Sequence, residues 1–489
     1  MKSIYEKANP AINKVFKSAG LPKKVMCIAF DYHKKTHTAL VCNGEGMQLR
    51  GVFNIHNTLK GIEYLNKVIR GLCRKHHIKK EHVILGGEDC GSYAFNFIHA
   101  LASQGYLIVG VNAKDAKIER GNALASTDKK DPIGVAGMML KCRGRIITAN
   151  ISDMEIIRRL THQRLSISKS KTASANRIHS LVKQLLPGFL DSKESSITPF
   201  SRASLWLMSE KFSAKQIHAR KTSLLIDRFK AFNVKQPEVT VRKLKYLTEN
   251  ILPPPARMIP CLQESLSREV TVYNTLKASD DGLSTEIARQ LAPTPGVFLT
   301  TMPAMGIANA AGLYAEMADP VRRRALYKMV AYAGLVGRLK QTGGPEKEAR
   351  SSGRSRHHNT FLKHLLIDTV IHIGMCGTSD LKHDYIRRDE CGQYHRLTMA
   401  RKMLRICACL MDGNFYLPKA IRNNPTHEVL RDHYQCAWNP IMVKWRNAGA
   451  VKVAFMDNAP LEQWRCMANE LYHLDLSNIS PQAWQLRKK

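Results

Sequence analysis

The sequence is short of acids. Its 489 residues hold 40 Asp and Glu against 75 Lys and Arg, a formal net charge of +35, with a pI near 9.9. An imbalance of that size favours a polyanionic partner, through counterion release and long-range attraction. Long apolar runs are also missing: none approaches the ~20 residues that a membrane-spanning helix needs. The opening Met1-Lys-Ser-Ile-Tyr-Glu-Lys-Ala-Asn-Pro10 lacks the apolar core of a signal peptide. The expectation is a cytoplasmic protein with no membrane partner. The twelve cysteines include no Cys-x-x-Cys, and the closest pair is Cys407-Ala-Cys409. That spacing argues against a zinc site and for reduced thiols. His76-His77 and His357-His358 lie among basic residues, a setting for solvated or phosphate-facing imidazoles rather than for metal ligands. What is present is globular in composition, 44% hydrophobic and 24% charged. The length calls for two to three domains. Charge alone does not separate a DNA enzyme from a ribosome-associated protein.

Against this scarcity, four acids stand at marked positions. Asp31 ends the apolar run Val25-Met-Cys-Ile-Ala-Phe30, and Glu88 ends Val83-Ile-Leu-Gly-Gly87. Asp128 and Asp131 form a Thr-Asp-x-x-Asp step ahead of an apolar segment. The pattern between them predicts strands at 25–30, 37–42, 47–54, 82–85 and 106–111. Helices are predicted over 59–72, 93–104 and 131–140, the last opened by Asp131-Pro132. Three strands, helix, strand, helix, strand, helix is the order of the ribonuclease-H-like fold, in which the first and fourth strands are neighbours. Asp31 and Glu88 then lie close together. The i, i+3 spacing of Asp128 and Asp131 places both on one helical face. Four carboxylates gathered in this way repel unless a cation neutralises them, which predicts a hard divalent metal. Singly, each acid has an ordinary explanation as a strand end, a solvated loop or a helix cap. The set in this order points to phosphodiester chemistry on nucleic acid.

Phe30-Asp31-Tyr-His-Lys-Lys35, Gly87-Glu88-Asp-Cys-Gly-Ser-Tyr93 and Ser126-Thr-Asp128-Lys-Lys-Asp131 resemble the three DEDD motifs of certain insertion-sequence transposases. That family is described as bridge-RNA-guided recombinases, with an amino-terminal domain similar to the RuvC Holliday-junction resolvase. The resemblance implies an α/β plus all-α protein in four parts. A RuvC-like DEDD domain spans 24–150, a helical, coiled-coil-like connector 151–290, a small helical transposase domain 291–375, and a C-terminal helical extension 376–489. Asp31, Glu88, Asp128 and Asp131 would hold Mg²⁺ or Mn²⁺. The implied partners are donor and target DNA, a structured noncoding guide RNA, and further copies of the chain, as a dimer or a synaptic tetramer. The implied location is the nucleoid of a bacterial cytoplasm.

The middle of the chain carries helical periodicity, interrupted by a polar stretch at 166–171 and by Pro253-Pro-Pro255. Further on, Met302-Pro-Ala-Met-Gly306 reads either as a phosphate-approaching turn or as an ordinary one. Then come Met329-Val-Ala-Tyr-Ala-Gly-Leu335, Gly337-Arg-Leu-Lys-Gln-Thr-Gly-Gly344 and Ser351-Ser-Gly-Arg-Ser-Arg-His-His-Asn359. This order is similar to the same family's transposase domain, in which a serine ahead of a glycine attacks DNA. Thr342 holds that position here, and its extra methyl crowds in-line attack and stiffens χ1. Three readings stay open, in this order: Thr342 is the nucleophile; Ser351 or Ser352 has taken its place; or the chain is inactive. Arg338, Lys340, Arg350, Arg354 and Arg356 are candidate phosphate clamps, equally readable as a solvated basic loop. The functional expectation is a recombinase with a covalent protein–DNA intermediate. The alternatives are a metal-dependent nuclease without a covalent step and a non-catalytic nucleic-acid-binding derivative.

Overall fold

The computed structural model describes residues 8–88, 93–121, 131–147, 153–210, 212–292, 294–317, 325–340, 350–354, 358–375, 379–390, 395–411 and 416. The chain divides into two compact units, residues 1–151 and 152–489.

In the first unit an unbroken apolar run becomes the central strand because both sheet faces are covered. The strands are β1 (Met26–Asp31), β2 (Thr36–Asn43), β3 (Gln48–His56), β4 (Val83–Glu88), β5 (Leu107–Val111) and β6 (Arg145–Ile147). They form one sheet in the order β3-β2-β1-β4-β5-β6. β1, β4 and β5 run parallel, while β2, β3 and β6 pair antiparallel with their neighbours. The period of two along β1 sends Met26, Ile28 and Phe30 into one apolar core, and Cys27 and Ala29 into another on the opposite face. Helices α1 (Pro10–Ala19), α2 (Leu59–His76), α3 (Phe95–Ser103), α4 (Ala113–Glu119) and α5 (Asp131–Leu140) complete the unit. This is the ribonuclease-H-like arrangement expected from the strand pattern. The pattern did not predict α1, α4 or the three-residue β6. α1 is set by local chemistry: Asn9 accepts from the Ala11 N–H, Pro10 opens the helix, and Ile12 inserts into the core.

Two glycines at the end of β4 are steric requirements. A Cβ on Gly86 would stand 2.6 Å from the Met139 sulfur on α5, and one on Gly87 would stand 2.0 Å from the Tyr32 ring. Without a side chain, Gly86 lets α5 lie close on one face of the sheet, and Gly87 makes room for the Tyr32 ring on the other.

The second unit is built on two 33-residue helices, α6 (Asp153–Leu185) and α12 (Ile259–Leu291), each about 50 Å long at 1.5 Å per residue. Between them the chain folds α7 (Ser192–Ser195), α8 (Arg202–Ser209), α9 (Ala214–Ala219), α10 (Thr222–Ala231) and α11 (Pro237–Glu249). These five close a separate core with Ile178, Val182 and Leu185 of α6 and Leu262, Leu266 and Val270 of α12. The polar stretch seen in the sequence is the shaft between the two ends. It is joined by ions: Arg164 Nε lies 3.0 Å from Asp280 Oδ1, Lys171 pairs with Asp280 Oδ2, and Arg177 NH2 lies 2.7 Å from Glu269. The expected connector is thus a helical hairpin carrying an inserted domain.

At the other end, Ile157 of α6 and Ile287, Ala288 and Leu291 of α12 enter a fourth core, the base core. It is shared with α13 (Ile307–Met317), α14 (Leu326–Tyr332), α15 (Thr360–Met375), α16 (Asp380–Glu390) and α17 (His395–Leu410). Leu381, Met399, Met403 and Leu404 belong to it, so the boundary drawn at 375 cuts through a single apolar core. Met302 and Met305 are fully buried there, which makes the turn before α13 a packing feature. A short hairpin, β7 (Gly337–Lys340) and β8 (Arg350–Arg354), leaves this core between α14 and α15.

Candidate active site

The site in the first unit begins with two strand ends. β1 and β4 are parallel neighbours in the register Phe30 to Gly87, so the next residues, Asp31 and Glu88, leave the sheet side by side. Parallel pairing turns 57 residues of sequence separation into adjacent positions. Burial, and then the negative charge of Asp31, push the Glu88 carboxyl above its usual value, while Arg120 acts in the opposite direction. Asp31 Oδ2 lies 3.1 Å from His33 Nε2.

Asp131 opens α5, which packs against β1 and β4. Its carboxylate is paired with Arg120, a side chain just beyond α4 that is almost wholly buried. One guanidinium therefore acts on both Asp131 and Glu88. Sequence reasoning missed Arg120; its signal would have been a lone arginine ahead of the Thr-Asp-x-x-Asp step, which spacing alone does not single out.

His37 is fully buried beside Asp31's strand, between the rings of Tyr32 and Phe97. Burial lowers its pKa to about 4. Its Nδ1 accepts the His33 N–H at 3.3 Å, which ties the loop after β1 to the core.

Asp128 lies outside the described residues, as do Thr342 and Arg356. Among the described residues no group of three His, Cys, Asp or Glu side chains converges as a metal-binding set. The structure thus brings Asp31 and Glu88 together and places Asp131 within reach of the guanidinium that also acts on Glu88. Ser351 and Ser352 lie in β8, with the backbone of Ser351 opposite Leu339; Lys340 is opposite Arg350 and Gly337 opposite Arg354. Arg338 is the second residue of β7.

Two family models match the chain. One, a transposase model of the DEDD type in the IS110 group, covers residues 28–187; the other, described as transposase IS116/IS110/IS902 family, covers residues 297–385. The chain belongs to the IS110-type transposases. The first match takes in most of the sheet, with its paired acids, and the second takes in α13, α14, the β7–β8 hairpin and α15. No curated protein matches the transposase. Its activity is DNA transposition, so DNA is its partner. Among the described residues, no helix is long and apolar enough to cross a membrane.

The base of the hairpin in this transposase is held by a second polar cluster that sequence reasoning did not find. Glu316, near the end of α13, is almost fully buried. Its Oε1 lies 3.2 Å from Arg158 Nε and 3.1 Å from His162 Nε2, both on α6. Its Oε2 accepts from Asn359 Nδ2 and, at 3.5 Å, from the Tyr332 hydroxyl. Asn359 was noted in sequence only as part of the family-like order around α15. In the fold its Oδ1 caps α15 by accepting the Leu362 N–H at 2.9 Å, and its own N–H donates to Tyr332 O at 2.7 Å.

Proposed function

We propose that the transposase cuts and rejoins DNA through a covalent protein–DNA intermediate at the β7–β8 hairpin, assisted by a divalent cation held at the acidic strand ends. The observation that carries the cation is the side-by-side exit of Asp31 and Glu88, with the Glu88 carboxyl raised by burial and by its neighbour's charge. Two carboxylates in that relation gain from a cation between them. The donor set is all oxygen, which suits Mg²⁺ or Mn²⁺. Asp31 and Glu88 would hold it, with Asp128 and Asp131 as the further carboxylates. When bound, such an ion supplies positive charge to a phosphate or to an ionising hydroxyl. Arg120 holds Asp131 in place and offsets part of the repulsion felt by Glu88.

On the protein side, the hydroxyl oxygen of Thr342, or of Ser351 or Ser352, attacks a DNA phosphorus. A bond from phosphorus to that oxygen forms, the bond to the leaving deoxyribose oxygen breaks, and the hydroxyl's proton passes to a base as the leaving oxygen acquires one. Reversal with a different DNA hydroxyl rejoins the strands without ATP. Arg338, Lys340, Arg350, Arg354 and Arg356 are placed along the chain on either side of that hydroxyl to bind phosphates. A guide RNA beside the donor and target DNA belongs to this reading through the family resemblance, and the charge of +35 suits polyanionic partners in general. A composite site between copies of the chain, in a dimer or synaptic tetramer, belongs to the same reading.

The test is a nicked suicide substrate that traps the intermediate. Wild type should yield a DNA adduct on one peptide containing residue 342, 351 or 352, and alanine at the responsible position should abolish it. Cleavage without any adduct would instead establish a nuclease in which water attacks.

A further inference from the structure

The β7–β8 hairpin leaves the base core and returns to it within a few residues of one buried carboxylate. α14 leads into the hairpin, and His358 and Asn359 lead out of it. Both connections are fastened to each other and to Glu316. Asn359 N–H donates to Tyr332 O at 2.7 Å, and Asn359 Nδ2 donates to the Tyr332 hydroxyl at 2.8 Å. Gly334, with φ of +64°, ends α14, and a Cβ there would stand 2.4 Å from the His358 ring. Only glycine adopts that backbone readily and leaves the ring its space. From the far side, Arg401 of α17 donates through Nε to Leu335 O at 2.8 Å. Glu316 joins this stem to α6: Arg158 binds its Oε1 and also donates through NH2 to Ala315 O at 2.8 Å, while His162 packs on Phe361 with ring centroids 4.2 Å apart.

The arrangement is more than a helix cap. A cap on α15 needs only Asn359 Oδ1, which the Leu362 N–H already uses. The Asn359 amide nitrogen is spent on Glu316 and Tyr332, and that fixes the direction in which the hairpin strands leave the core. Burial of Glu316 makes the fixing strong, because each donor lost would leave a charged oxygen without compensation.

We propose that Glu316 is the positioning residue of the hairpin: it sets the angle at which β7 and β8 project, and so the placement of whatever the hairpin presents to DNA. The consequence for strand cleavage rests on the reading above that the hairpin carries the attacking hydroxyl; the consequence for the hairpin's order does not. Glu316→Gln keeps an oxygen for Arg158 and His162 but turns the other atom into a donor facing the donor Asn359 Nδ2. Glu316→Gln with Asn359→Asp reverses that bond, restores one donor and one acceptor, and leaves an aspartate able to cap α15.

The experiment uses the full-length transposase and two readouts. The first is amide hydrogen exchange over 337–340 and 350–354 in the free protein. Glu316→Gln should raise exchange there about 10-fold with the sheet unit unchanged, and the double variant should bring it back. The second is the rate of adduct formation on the nicked substrate at saturating DNA. Glu316→Gln should lower it about 100-fold, the effect of a displacement near 1 Å, with DNA affinity unchanged and substantial recovery in the double variant. Unaltered exchange in Glu316→Gln, or no recovery in the double variant despite a folded core, overturns the proposal. If wild type forms no adduct while exchange responds as described, the positioning role stands and the hydroxyl reading fails.

Discussion

Glu88 and Glu316 are both glutamates near the end of a regular element, and their surroundings differ in sign. Glu88 faces another carboxylate, Asp31, and burial first, then that charge, raises its pKa, with Arg120 acting the other way. Glu316 faces Arg158, His162, Tyr332 and Asn359, four groups able to donate to it. The second cluster is complete within the fold, and its work is to hold a stem in place. The first is the cluster that, on the reading proposed above, takes up a cation. A half-buried and a buried glutamate in one chain thus differ through what stands opposite them.

The comparison breaks first if the strand-end acids prove to be structural. Asp31→Asn and Glu88→Gln should each lower transposition about 1,000-fold or more, the scale of losing charge stabilisation at a reacting phosphate, while the thermal midpoint stays within a few degrees of wild type. A joining assay with parallel melting curves checks this. Full activity in either variant would leave the pair of acids without the role assigned to it. A second break comes from the packing behind the acids. Gly87→Ala drives a methyl into the Tyr32 ring, which stacks on Phe30 with centroids 5.4 Å apart and is nearly buried. It should cost about 3 kcal/mol of stability. Gly86→Ala meets the flexible end of Met139 and should cost less, about 1 kcal/mol. Denaturant melts order the two, and the reverse order would contradict this account of how the two faces of β4 are packed.

The two centres were also unequally legible. Asp31 and Glu88 could be located from sequence because each ends an apolar run, and the strand order then forces the two runs together. Nothing comparable marks Glu316. It sits in an alanine-rich helix, 154 residues from His162 and 158 from Arg158, and only tertiary packing brings the three together. The same limit applies to the fold. Unbroken apolar runs gave the central strands, but β6 is three residues long, too short to stand out as one. The helical shaft of α6 was read as interrupted because its middle is polar, although no Gly or Pro lies between 153 and 185. Its partner at that level is a line of ion pairs, which hydrophobic periodicity does not register.

A third way to sharpen the contrast uses acid. His37 has a folded pKa near 4, below its ordinary value, because it is buried. A group lowered on folding binds its proton more readily in the unfolded chain. Its contribution is therefore fully present above about pH 6.5 and is lost progressively as pH falls toward 4. The sheet unit should lose about 2 kcal/mol over that window through this residue. His37→Gln should flatten the dependence for the sheet signals in hydrogen exchange while leaving those around Glu316 unchanged. Equal acid sensitivity in wild type and variant would remove His37 from the account.

The smallest effect is the most direct test of the difference in sign. A carboxyl whose pKa is raised on folding disfavours the folded state once it ionises; the penalty is absent below the unfolded pKa and fully present above the folded one. Glu88→Gln removes it, so at neutral pH the variant should melt roughly 1–2 °C higher than wild type, with the gain vanishing in acid. Millimolar Mn²⁺ should then stabilise wild type and leave Glu88→Gln nearly unchanged, because binding to the folded state alone raises stability with ligand concentration. Applied to the other centre, the same substitution has the opposite sign: Glu316→Gln loses an acceptor that its donors require and should melt lower than wild type at neutral pH, while keeping the wild-type response to Mn²⁺, since Asp31 and Glu88 are intact in it. A shift in the same direction at both glutamates would mean that their surroundings are electrostatically alike, against the geometry that separates them.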